Sequence, residues 1–141
     1  MSAAPGRPKQ ARTAAQQGEG APVTAAQADQ GLVIIGAGLA GWTTAREFRK
    51  LDPTTPVLLI TADSGDFYAK PSLSNAFMQG RAPAQLVTTP AATMAAKLNV
   101  TLHARTRVMS IDPLTRTVAT SAGHFKYHRL VLATGAQAIR V

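Results

Sequence analysis

The sequence predicts an α/β fold in which a parallel sheet carries a three-stranded antiparallel β-meander as an insert. Three observations lead there. Short, wholly apolar runs rich in β-branched residues stand at Leu32-Val33-Ile34-Ile35, Val57-Leu58-Leu59-Ile60 and Leu130-Val131-Leu132-Ala133, the pattern of strands buried on both faces. Between the first two lies one amphipathic helical stretch, so strand, helix and strand form a single βαβ unit with the usual right-handed crossover. Before the third run come short alternating segments separated by turn residues, which read as a meander.

Residues 1–30 contain no Ile, Leu, Phe, Trp or Tyr and are mostly Ala, Gln, Gly, Pro, Thr and Ser. Such a stretch has too little apolar surface to offset its ordering entropy, so a disordered leader is expected there. Arg7, Lys9 and Arg12 precede the first acid, Glu19. The leader nevertheless lacks the serine richness and amphipathic spacing of a transit peptide, and the apolar core of a secretory signal.

Order is expected from Gly31. Gly36-Ala37-Gly38 turns the chain after the first strand, and Leu39 to Leu51 reads as a helix with Leu39, Trp42, Ala45, Phe48 and Leu51 on one apolar stripe. Arg46, Glu47, Arg49 and Lys50 lie mostly off that stripe. Asp52-Pro53 stops the helix, because a residue before proline is pushed out of the α region. Residues 61–89 are mostly loop, with a short helix expected at Ser72–Met78. Pro90 to Leu98 reads as a second helix, with proline at its first turn where a missing N–H costs nothing. Val100 to Ala104 is a third strand of the sheet. Arg107–Ile111, Thr117–Thr120 and His124–Tyr127 make the meander, divided by Asp112-Pro113-Leu114-Thr115 and by Ala122-Gly123.

Composition narrows the function. The 141 residues carry 15 Lys and Arg against 7 Asp and Glu, and no cysteine. Only +1 of the net +8 falls on residues 1–30, so the part expected to fold is basic. Net charge of this kind bears on encounter with acidic partners rather than on fold. Nucleic acid is not the expected partner, because no basic run is interleaved with aromatics for stacking. No apolar run has the length of a membrane helix, and a cytoplasmic protein is expected.

Gly36-Ala37-Gly38-Leu39-Ala40-Gly41 is G-x-G-x-x-G directly after a strand and opening a helix. Each glycine has its own task. Gly36 allows the tight turn, Gly38 lets the backbone approach a pyrophosphate, and Gly41 lets helix and strand pack closely. The pyrophosphate then meets unpaired N–H groups at the positive end of the helix. An acid that holds a ribose hydroxyl is expected about 20 residues on. Asp63 lies 22 residues past Gly41, beyond the strand end at Thr61. The ribose contact therefore falls to Asp63, to the Ala62 backbone or to Thr61. His103, His124 and His128 are scattered without clustered acids and do not make a metal site. No residue stands out as catalytic.

The glycine motif, the meander and the closing Ala133-Thr134-Gly135 together resemble the Rossmann-like FAD-binding domain of the two-dinucleotide flavoprotein reductases. Within these, Ile60-Thr61-Ala62-Asp63-Ser64-Gly65 followed by Tyr68-Ala69-Lys70-Pro71-Ser72-Leu73-Ser74 is similar to the rubredoxin–NAD(+) reductases. The resemblance covers residues 31–141, which would then be an FAD-binding domain truncated before the rest of the enzyme. It implies that Ala37 to Ala40 lie against the FAD pyrophosphate and Ala62-Asp63 against the adenosine ribose. It implies further that Lys70 stands beside the flavin, that the Val108 backbone meets the adenine, and that Thr134-Gly135 lie under the cofactor. Asn75 departs from the wider ferredoxin reductases, which often carry Lys after the Leu-Ser pair.

The absence of cysteine excludes the redox pair that flavoprotein disulfide reductases need in this half of the chain. The activity implied is transfer of electrons from NADH through FAD to rubredoxin or a similar small acidic carrier, a fragment of this length being inactive alone. The alternatives are the FAD domain of a ferredoxin or nitrite reductase and a non-catalytic flavin-binding module. A basic surface around Arg105, Arg107 and Arg129 is expected to steer the acidic carrier.

Overall fold

The computed structural model describes residues 29–67, 76, 78–80, 87 and 89–136. The leader up to residue 28 and most of the helix expected at Ser72–Met78 lie outside them. In chain order the elements are β1 (Leu32–Ile35), α1 (Leu39–Leu51), β2 (Val57–Ile60), α2 (Ala91–Leu98), β3 (Thr101–His103), β4 (Val108–Asp112), β5 (Thr117–Thr120), β6 (Gly123–Lys126) and β7 (Arg129–Leu132). Each regular element expected in these segments forms within a residue of its expected bounds.

Two sheets result. One is four-stranded and parallel in the order β3-β2-β1-β7, with Leu32 opposite Val57 on one side and Arg129 on the other. The second is the antiparallel β4-β5-β6 meander, with a bulge between Val108 and Ser110. Strand alternation divides the core in two. Leu32, Ile34, Val57 and Leu59 face the helices, meeting Trp42 and Ala45 of α1 and Ala91 and Ala95 of α2. Val33, Ile35, Leu58 and Ile60 face the meander, meeting Val118, Phe125 and Tyr127. This explains why β1 and β2 are continuous apolar runs, since both faces are covered.

Two expectations of burial are corrected. The α1 stripe is buried at Trp42 and Ala45, but Leu39 is 54% and Leu51 87% exposed. A 13-residue helix is about 20 Å long, while four-residue strands span only about 13 Å, so both helix ends overhang the sheet. The run at β7 is half-buried, with Leu132 64% exposed, because β7 is the edge strand of the sheet and Leu132 lies at its outer end.

The helix ends are set by specific contacts. Asp52 takes extended angles at the α1 C-cap, as its proline neighbour requires, and its carboxylate accepts from the N–H groups of Thr54 and Thr55. Pro90 occupies the N-cap of α2, and Asn99 adopts the left-handed conformation at its C-cap. Arg49 joins the two helix ends. Its guanidinium donates to the carbonyls of Leu98 at 2.8 Å, Asp52 at 3.1 Å, Thr55 at 2.6 Å and Asn99 at 2.7 Å. Sequence pattern placed Arg49 off the apolar stripe; the structure makes it a half-buried clamp between α1, the following turn and α2. Among the described residues no helix is long and apolar enough to cross a membrane.

Candidate functional site

The carboxyl ends of β1, β2 and β7 lie side by side, and the G-x-G-x-x-G turn rises from the middle one. From β1 the chain moves to β2 on one side, while β7 enters on the other. A crevice at such a reversal of strand order is where open α/β sheets bind ligands.

The three glycines meet three different surroundings. Gly36 has φ 109°, a conformation that L side chains rarely adopt, and a Cβ there would strike the Ala133 carbonyl at the end of β7. A Cβ on Gly41 would collide with the Gly36 carbonyl oxygen, so α1 sits against the turn that precedes it. Among the described residues, a Cβ on Gly38 would meet nothing within 4 Å. Gly36 and Gly41 are thus demanded by the protein's own packing, whereas no described residue demands Gly38. Among the described residues the space before Gly38 is open.

What belongs in that space follows from the helix end. The first intrahelical bond of α1 is Trp42 N–H to the Gly38 carbonyl at 3.1 Å, so the N–H groups of Leu39, Ala40 and Gly41 have no helical acceptor. Among the described residues no side chain caps the helix, and its first turn holds no acid, while Arg49 and Lys50 occupy the last turn. The end therefore keeps its full positive character, suited to an anion. Ala37 is buried beneath the turn, and Leu39 and Ala40 are exposed at its lip.

The loop after β2 forms the next wall. Asp63 Oδ1 accepts from the Thr61 hydroxyl at 2.6 Å and from the Gly65 N–H at 2.9 Å. Asp63 thus caps the turn that follows β2; its other oxygen takes no hydrogen bond among the described residues. Ala62 and Asp63 are exposed, and Thr61 is buried. The loop is tied on three sides. The Arg105 N–H donates to the Asp63 carbonyl at 2.8 Å, and the Thr106 N–H to the Thr61 carbonyl at 2.8 Å. The Trp42 indole N–H donates to the buried Gly65 carbonyl at 2.8 Å. Asp66 Oδ1 accepts from the Ala91 N–H at 2.9 Å, capping α2 from 25 residues away. That bond, with the Ser64 hydroxyl on the other oxygen, holds the Asp66 carboxyl below its ordinary range.

Thr134 and Gly135 close the opposite wall, both exposed just past β7. Val108 begins β4 two residues after Thr106, which bonds to the β2 exit, so it stands at the same end of the sheet. The structure therefore gathers Gly36 to Gly41, Ala62, Asp63, Val108, Thr134 and Gly135 around one end of the sheet. Lys70 lies outside the described residues. The expected basic surface is not a single patch. Arg105 and Arg107 follow β3 at its carboxyl end, while Arg129 opens β7 at the amino end. Three strand spacings and a strand length separate them, on the order of 15–20 Å.

His103 packs edge-on against Phe125 with ring centres 4.9 Å apart, a core contact. Among the described residues no group of three His, Cys, Asp or Glu could hold a metal ion. Sequence reasoning missed Trp42 as a donor, although a buried indole N–H needs a partner. It also missed Asp66, whose partner is too distant in the chain to leave a local signal.

Residues 30–141 match the family model described as pyridine nucleotide-disulphide oxidoreductase. The chain is 42% identical over 121 residues to the nitric oxide reductase FlRd-NAD(+) reductase of Aeromonas hydrophila, covering 83% of this chain and 31% of that protein. It is 42% identical over 105 residues to the rubredoxin-NAD(+) reductase of Alcanivorax borkumensis, covering 74% of this chain and 28% of that protein. Among solved structures, the covalent putidaredoxin reductase–putidaredoxin complex is similar at a TM-score of 0.70 and 30% identity, over 82% of this chain and 28% of that one. A ferredoxin reductase from Rhodopseudomonas palustris matches at a TM-score of 0.70 and 29% identity, over 80% of this chain and 28% of that one. The chain thus spans about 30% of the length of the curated relatives it matches.

Proposed function

Because the chain belongs to the pyridine nucleotide-disulphide oxidoreductase family, we propose that it is the FAD-binding part of an NADH-dependent reductase passing electrons to rubredoxin or a similar small acidic carrier. The observation that carries the cofactor reading is the open space at Gly38, facing helix N–H groups, between two glycines that the fold itself requires. In this reading the Leu39, Ala40 and Gly41 N–H groups bind the pyrophosphate, and Ala37 and Gly38 let it approach. Asp63 and the Ala62 backbone orient the adenosine ribose. Val108 offers its backbone to the adenine, and Thr134 and Gly135 support the cofactor from the β7 side. Lys70 is assigned to the flavin end on the family resemblance.

FAD, when bound, supplies the chemistry that the side chains lack: it accepts a hydride and releases electrons singly. The protein's part is to bind, orient and exclude. With no cysteine in the sequence, a disulfide relay within these residues is ruled out. The acceptor reading is supported by the relatives named for rubredoxin and FlRd at 42% identity. The ferredoxin reductase likeness supports the FAD domain of a ferredoxin reductase as the second reading. Since NADH is the proposed donor, the cytoplasm is the proposed location, and cell fractionation tests it. The decisive experiment supplies the intact protein with NADH and then with rubredoxin or a ferredoxin in turn, following acceptor reduction. A yellow, FAD-containing protein that reduces rubredoxin fastest is expected. A colourless protein with no affinity for FAD would overturn the reading.

A further inference from the structure

Trp42 is the sole tryptophan of the chain and is 1% exposed, among the most completely buried side chains of the core. It directly follows Gly41, so it belongs to the helix turn that ends the phosphate cradle. Its indole N–H nevertheless reaches away from that turn to the Gly65 carbonyl, 23 residues on, at 2.8 Å. Gly65 is itself buried and has φ 78°, and a Cβ on it would stand 3.5 Å from the Ala37 methyl and 3.2 Å from Thr61 Cγ2. One peptide earlier, the Gly65 N–H donates to the Asp63 carboxylate that also holds the Thr61 hydroxyl. The cradle and the loop bearing Ala62 and Asp63 are thus joined by one buried side-chain hydrogen bond.

We propose that Trp42 is a positioning residue for nucleotide recognition, locking the Asp63 loop to the phosphate cradle so that the ribose is read in register with the pyrophosphate. The inference rests on the FAD reading above, and names the residue that couples its two halves. The physical reason lies in the Gly65 carbonyl. A phenylalanine at position 42 fills the same apolar space but donates nothing, leaving a buried carbonyl without a partner. The Gly65–Asp66 peptide then turns toward water, and the Asp63 turn built on the adjoining peptide moves with it. Ribose recognition is lost while the fold is kept, because the core around the ring survives and the Arg105 and Thr106 amides still hold the loop, but its tie to the cradle is gone.

The test compares ADP with 2′,3′-dideoxy-ADP, which share the phosphates and differ at the ribose hydroxyls, by amide chemical-shift titration of the ¹⁵N-labelled chain. The wild type is expected to prefer ADP by about tenfold, the weight of one hydrogen bond to a carboxylate. Trp42→Phe is expected to bind both ligands within about twofold of each other, while its amide spectrum stays dispersed. A Trp42→Phe chain that keeps the full preference overturns the proposal and leaves the cofactor reading intact. A wild type that binds both ligands equally removes the ribose reading, and the proposal with it. Should Trp42→Phe fail to fold, the single indole N–H resonance of the wild type reads the same contact. ADP should slow its solvent exchange more than dideoxy-ADP does, and equal slowing by both overturns the proposal.

Discussion

Substituting alanine at Gly38 and at Gly41 should have opposite consequences. Gly38 has φ −75° and ψ −169°, angles open to any L residue, and a Cβ there touches none of the described residues. The only cost to the fold is a weaker N-cap, about 1 kcal/mol at most. Gly41→Ala drives its methyl into the Gly36 carbonyl oxygen, and relief requires α1 to lift from β1. Overpacking of that kind costs about 3 kcal/mol, or roughly 10–20 °C in melting temperature for a domain of this size. Binding reverses the order of interest. A methyl at Gly38 stands where a pyrophosphate would approach, costing at least one hydrogen bond to a charged oxygen, roughly 10–100-fold in FAD affinity. Thermal melts and FAD fluorescence titrations on the two variants give both quantities. If Gly38→Ala binds FAD as the wild type does, or melts as early as Gly41→Ala, then the separation of packing glycines from the ligand glycine is wrong.

The other expectations concern the clamp, the remote cap and the limits of the chain. Arg49→Met removes four hydrogen bonds to carbonyls and should cost about 2–4 kcal/mol in urea unfolding; Arg49→Lys should recover only part, since one ammonium cannot span the four acceptors. Wild-type stability in the Met variant would show the clamp to be idle. Asp66 has its carboxyl held below the ordinary range by the Ala91 N–H first and the Ser64 hydroxyl second. A depressed folded pKa adds stability that is fully present above the unfolded value of about 4 and disappears as pH falls through the folded one. The melting-temperature gap between wild type and Asp66→Ala should therefore narrow from pH 6 to pH 3, and a gap that holds constant would contradict the cap. Finally, residues 1–141 contain a single G-x-G-x-x-G and should not oxidise NADH even when saturated with FAD, since hydride transfer needs both nucleotides placed together. Measurable NADH oxidation by this chain would mean that the nucleotide held here has been misread.

Residue order alone was enough for the strand–glycine–helix unit, the second buried strand, the meander and the dinucleotide fingerprint. Each is written within a short window. Apolar runs mark strands covered on both faces, a proline after Asp52 stops α1, and glycines at fixed offsets leave a local pattern. The tertiary structure decided what depends on residues far apart in the chain. The order β3-β2-β1-β7 puts β7 at an edge and leaves Leu132 exposed, although its apolar run reads like that of β1. The same order parts Arg129 from Arg105 and Arg107. Gly36 and Gly38 look alike in sequence, yet one is closed by Ala133, 97 residues later, and the other faces open space. Trp42 and Arg49 looked like a core ring and a surface charge. Only folding brings their polar atoms to carbonyls 23 and 49 positions away, because a directional hydrogen bond between distant segments has no period for a sequence to display.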